Sequence, residues 1–160
     1  MTQERLSDDR DAASFLVCRS NSCLCALPLM SVAETMRPLT IEPVAAMPPF
    51  LLGVSVIRGA PVPIVDTAKL LGSTTPARPQ RIVILKIGER LVGLAVDSVL
   101  GVHVIPVASL NEVPPLLHRV GDDSVSAITR LDAELLLVLE SARIVPESVW
   151  AVIDSRGLTE

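Results

Sequence analysis

The chain has 160 residues, about the length of one domain or of two very small subdomains sharing a core. Apolar residues make up 49% of it, which excludes disorder over the whole length. A formal net charge of −4, the lack of any basic run and a near absence of aromatics argue against nucleic acid as a partner.

Phe15, Phe50 and Trp150 are the only aromatic residues, so the core must be built from Val, Ile, Leu and Ala. β-branched side chains favour a pleated sheet. Thirteen prolines prevent long helices. Mean hydropathy is +0.51, yet the longest apolar stretch, Leu91 to Val107, carries Asp97 and His103 and alternates like a strand. Met1 to Asp11 is a polar tail of mixed charge without the apolar run of a secretory signal. The expectation is a cytoplasmic protein with no direct membrane insertion.

In chain order, Ser14 to Arg19 reads as a strand and Cys23 to Leu27 as its hairpin partner across the loop Arg19-Ser20-Asn21-Ser22. Val32 to Met36 is a short segment stopped by Arg37-Pro38, and Pro38 to Pro49 is a connector too rich in proline for a regular element. Leu51 to Arg58 and Val62 to Val65 form strands around Gly59-Ala60-Pro61, with Pro63 marking an edge or a bulge. Asp66 is placed to cap a short helix, Thr67 to Leu71, closed by Gly72. Ser73 to Gln80 reads as a linker.

Arg81 to Ile87 and Arg90 to Val96 give the cleanest hairpin, turning at Gly88-Glu89. A strand over about Val99 to Ile105 follows, with a bulge expected at Gly101. After a polar loop from Asn111 to Asp123, Val125 to Leu131 and Glu134 to Leu139 pair across Asp132-Ala133. Ala142 to Ile153 finishes as a short helix that packs Trp150 onto a barrel. About ten short strands argue for an all-β protein of two small barrels or a sandwich.

Cys18, Cys23 and Cys25 are odd in number, a poor disulfide framework, and read as reduced thiols acting as small apolar groups. Only His103 and His118, both remote in sequence, could join them around a metal, so neither a metal nor any other cofactor is expected.

An ordered set of residues resembles the CheW-like domain family. It runs through Ala26-Leu27-Pro28-Leu29, Val32, Glu34 and Arg37-Pro38, then Leu52-Gly53-Val54, Ile57-Arg58-Gly59, Pro63, Asp66 and Leu70-Leu71-Gly72. Arg81-Ile82-Val83, Gly88, Val92-Gly93-Leu94, Val96-Asp97, Gly101-Val102, Arg130-Leu131-Asp132 and the strand from Leu135 to Leu139 continue it. The likeness covers roughly residues 14 to 145. Four positions depart from the family pattern: Val56 stands where Asn is usual, Cys25 where an aromatic is frequent, Glu140 where Asp is common, and Ser126-Ala127 where a glycine is often found.

The resemblance implies two SH3-like five-stranded β-barrels in a non-catalytic adaptor. Its implied partners are the regulatory domain of a CheA-type histidine kinase and the cytoplasmic tip of a chemoreceptor. One CheW-like domain is expected over 12–160 after the tail at 1–11. Its first barrel would span about 12–79, completed by 143–155, and its second about 80–142. The implied receptor or partner surface comprises Val32, Glu34, Met36, Val56, Arg58 and Gly59. Arg58 can form forked hydrogen bonds to a partner, or pin its own loop across the barrel seam. Glu34 is expected to face solvent between the apolar anchors Val32 and Met36. Two alternatives stand beside the chemotaxis reading. One is the same binding module in a pilus-motility or second-messenger pathway. The other is an aspartic-protease-like enzyme centred on Asp66-Thr67-Ala68, although that site needs a glycine where Ala68 stands and a second Asp.

Overall fold

In the computed structural model, residues 11–75, 78–115 and 124–155 are described. Residues 1–10 of the expected tail and His118 lie outside them. Ten strands carry the fold: β1 (Ala12–Ser20), β2 (Cys23–Pro28), β3 (Val32–Met36), β4 (Leu51–Ile57), β5 (Ala60–Asp66), β6 (Arg81–Ile87), β7 (Arg90–Val96), β8 (Ser98–Pro106), β9 (Val125–Leu131) and β10 (Glu134–Leu139). Two α-helices are added, α1 (Thr67–Leu70) and α2 (Glu147–Ser155).

The strands form two five-stranded sheets, in the orders β8-β1-β2-β10-β9 and β3-β6-β7-β5-β4. Each sheet has three antiparallel ladders and one parallel ladder, β2 with β10 in the first and β7 with β5 in the second. The chain is all-β, as composition and spacing implied.

The sheets do not follow the sequential division at residue 80. β3 comes directly after the β1–β2 hairpin but pairs with β6 in the other sheet. β8 comes directly after the β6–β7 hairpin but pairs with β1. One barrel is therefore built from 12–28, 98–106 and 125–139, and the other from 32–36, 51–66 and 81–96. A sequence pattern marks strands without marking their partners, so this reciprocal exchange left no trace in the spacing.

The side-chain alternation of the strands fills three cores. Phe15, Val17, Leu24, Ala26, Leu136 and Val138 fill the first barrel. Ile57, Val62, Ile64, Ile82, Ile84 and Ala95 fill the second. The residues of opposite parity, including Leu16, Cys18, Cys25, Leu27, Val65, Val83 and Leu85, form a third core between the sheets. Strands β1, β2 and β6 are thus buried on both faces, which is why they read as unbroken apolar runs.

The C-terminal segment seals the shared core with Ile144, Val145, Val149, Trp150 and Ile153. Burying a large apolar side chain contributes about 1.5–3 kcal/mol each, so this short segment is a major part of the cohesion. Arg90 lies 4.6 Å from the centroid of the Trp150 ring and bonds Asp154 at 3.2 Å, clamping α2 to β7.

Local details follow from residue chemistry. Asp66 caps α1 by accepting the Lys69 N–H at 3.2 Å. Pro63 sits in an internal strand rather than at an edge. Pairing of β5 with β7 begins only at Ile64, however, so the proline part of β5 has β4 as its one ladder partner. The expected bulge is present: Val17 pairs with Gly101 and Cys18 with Val99, leaving Leu100 as the extra residue beside a glycine at φ 114°.

Gly53 has φ 149°, and a Cβ there would strike the backbone carbonyl of Glu42. Glu42 in turn exchanges two 2.8 Å backbone hydrogen bonds with Val54, the anchor of the long proline-bearing connector. Gly53→Ala is therefore expected to lower stability by about 2 kcal/mol or more, through backbone strain plus the lost anchor. Urea denaturation followed by circular dichroism checks this; a change below about 0.5 kcal/mol would contradict it.

Candidate partner-binding surface

β3 and β4 are the two outer strands of the second sheet; Val32, Glu34, Met36 and Val56 lie on them, and Arg58 and Gly59 form the turn after β4. The β4–β5 hairpin turns through Arg58 at φ 51° and Gly59 at φ 80°, both left-handed, as a two-residue hairpin turn requires. Glycine accepts that conformation freely; arginine does so at a cost of order 1 kcal/mol, a pattern common at functional sites. The turn aims the Arg58 side chain back toward β3, where its guanidinium meets the Glu34 carboxylate at 2.8 Å.

This ion pair joins the two outer strands of the curled sheet. The Arg58 side chain is 72% exposed and that of Glu34 32%, so the bond contributes little to stability, about 0–1 kcal/mol. Its consequence is geometric. One nitrogen of Arg58 is engaged by Glu34, and the remaining donors stay available at the surface beside Val56, which is 70% exposed. Val56 is the exposed residue of an otherwise buried stretch, since Val54, Ser55 and Ile57 are all buried.

Val32 and Met36 sit differently from expectation. The β3–β6 register shifts between Val32 and Glu34, with Val32 opposite Leu85 and Glu34 opposite Ile84. That bulge places Val32 and Met36 on different faces. Val32 packs against the shared core and Met36 against the interior of the second barrel. Both are half-buried supports of the strand rather than free apolar anchors. Glu34, expected in solvent, is half-buried and paired. The structure thus pairs Glu34 with Arg58 beside Gly59 and the exposed Val56, and packs Val32 and Met36 into two different cores.

A second surface was missed from sequence. Leu100, Val102 and Val104 project from β8, the outer strand of the first sheet, with 47%, 54% and 67% exposure. Every residue from Val99 to Ile105 except Gly101 and His103 is aliphatic, so composition alone could not separate the outward side from the inward one.

Arg19, Glu134 and Asp66 make contacts within the fold. Arg19 grips Glu134 with two bonds of 3.1 and 3.0 Å; this hydrogen bonding holds the Glu134 carboxyl below its usual range and raises Arg19. Asp66 faces α1 as its cap and is buried. Among the described residues no cluster of three or more His, Cys, Asp or Glu side chains is arranged to hold a metal. No helix among them is long and apolar enough to cross a membrane.

The profile of the CheW-like domain matches residues 14–149, and the chain belongs to that family. It is 20% identical over 156 residues to the chemotaxis protein CheW of Klebsiella aerogenes, covering 96% of this chain and 94% of that protein. It is 28% identical to the probable chemotaxis protein CheW of Rhizobium etli, over 82% of this chain and 84% of the relative. It is 29% identical to the protein FrzA of Myxococcus xanthus, over 68% of each. Among solved structures, the scaffolding protein TtCheW of Thermoanaerobacter tengcongensis superposes with a TM-score of 0.69 at 25% identity, covering 80% of this chain and 88% of that one. The double-barrel architecture is thus that of a CheW-type scaffold.

The cysteines supply a direct check on the core. Cys18 and Cys25 are opposite each other on β1 and β2, both fully buried, while Cys23 is partly exposed. Hydrogen bonding with Cys18, and then burial, pushes the Cys25 thiol well above the ordinary range and keeps it protonated. In native protein a disulfide reagent is expected to titrate Cys23 alone, with Cys18 and Cys25 reacting only after denaturation. Rapid reaction of all three would contradict the packing.

Proposed function

We propose that the protein is a non-catalytic coupling scaffold, joining the regulatory domain of a CheA-type histidine kinase to the cytoplasmic tip of a chemoreceptor in a chemosensory array. Membership of the CheW-like family carries this reading. The geometry supports it in two ways. An adaptor needs two separate surfaces, and the molecule offers one on each barrel. On the second barrel Val56, Arg58 and Gly59 form an exposed apolar and hydrogen-bonding patch, with Arg58 held by Glu34. On the first barrel the β8 stripe offers an exposed apolar strand face.

The Arg58 patch suits a partner helix that presents a carboxylate or a free backbone carbonyl to the guanidinium and an apolar side chain to Val56. Arginine beside an exposed apolar residue is a frequent centre of binding energy. The partner-reading group is already held by Glu34, so less side-chain freedom is lost on docking. Association with receptors would place the protein at the cytoplasmic face of the membrane without inserting in it. No step of chemistry is required, and Asp66 serves as a helix cap.

Isothermal titration against the regulatory domain of the CheA-type kinase of the same organism tests the proposal. Micromolar binding is expected. One of Arg58→Ala and Val102→Asp should weaken it by about tenfold or more while the other leaves it unchanged, as two separate surfaces require. Failure of the folded protein to bind, or wild-type affinity in both variants, would overturn the coupling role.

A further inference from the structure

We propose that the cleft where β3 ends and β6 begins is an oxyanion-binding site, in which the guanidinium groups of Arg37 and Arg81 take a carboxylate or phosphate between them. The cleft has a volume of about 560 Å³ and is completed by Gln80, Asp97 and Ser98. Nothing in the coupling role calls for it, and it stands whether or not that role holds.

The β3–β6 register builds the site. Thr35 pairs with Val83 and Met36 with Ile82, where the ladder ends, so Arg37 follows the last paired residue of β3 and Arg81 precedes Ile82 on β6. Two like charges at the same end of neighbouring strands repel. Here the described ion pairs engage Arg19, Arg58 and Arg90, and none engages Arg37 or Arg81. Asp97, in the cleft wall, accepts the backbone N–H of Asn21 at 2.6 Å and makes no ion pair with either arginine. Two arginines without an ion pair among the described residues therefore line one concavity.

Chemistry narrows the ligand. A guanidinium presents parallel N–H donors that match the two oxygens of a carboxylate or phosphate. The Ser98 hydroxyl is a further donor at the cleft wall. Asp97 disfavours a ligand that would press a second negative group against that side. The occupant is thus a single oxyanion, either free in solution or carried on an acidic side chain of a polypeptide.

The test follows the arginine Nε–Hε resonances by NMR during titration with inorganic phosphate and, separately, with a capped tetraglutamate peptide, ionic strength being held constant with sodium chloride. The site predicts saturable shifts of Arg37 and Arg81 together, with Arg58 and Arg90 unmoved. Arg81→Gln should raise the half-saturating concentration seen at Arg37 at least fivefold. Saturation by phosphate alone identifies a free oxyanion, and saturation by the peptide at lower concentration identifies a polypeptide carboxylate. Unsaturable drift shared by all arginines, or an Arg37 response unchanged in Arg81→Gln, overturns the site.

Discussion

The shared core between the two sheets is the constraint on which the rest depends. Each barrel alone has an interior of about half a dozen large buried residues, little for a unit of its size. The core between them is larger than either, and neither barrel can complete it without the other and without the C-terminal segment. The exchange of β3 and β8 makes the dependence covalent as well as energetic. Each barrel contains an outer strand delivered by the other's central hairpin. A rigid body with two faces at a fixed relation is the physical requirement for a scaffold, and this arrangement supplies it.

The candidate surfaces lie on what the core leaves over. The Glu34–Arg58 bond contributes little stability because Arg58 is mostly exposed, and the left-handed backbone at Arg58 costs some. The proposed coupling role gives this weakly stabilising pair a use outside the molecule. The β8 stripe reaches its exposure differently. Val102 is paired with Leu16, which lies in the shared core, so the outward face of β8 continues the apolar face that the second barrel covers further in.

Much of this was legible in the residues. Strand positions, the Gly101 bulge, the Asp66 cap and the packing role of Trp150 follow from local rules that act within a few residues. Arg58 and Glu34 were both singled out, but not their bond, because 24 residues separate them and only sheet curvature brings them together. The partition of strands was illegible for the same reason, since pairing partners of β3 and β8 are set by the shared core rather than by turns. Val32 and Met36 were misplaced because one extra residue in β3, invisible in an alternating pattern, moved them to different faces.

The central claim is that the two barrels are one cooperative unit joined through their common core. Trp150 is the only tryptophan and sits in that core, so its fluorescence reports the junction while far-ultraviolet circular dichroism reports the strands of both barrels. Equilibrium unfolding in urea, followed by both signals on the same samples, tests the claim directly. Coincident transitions with one midpoint and one slope are predicted. A tryptophan transition that precedes the loss of strand signal, or a circular dichroism curve in two steps, would show barrels that stand apart and would contradict the account.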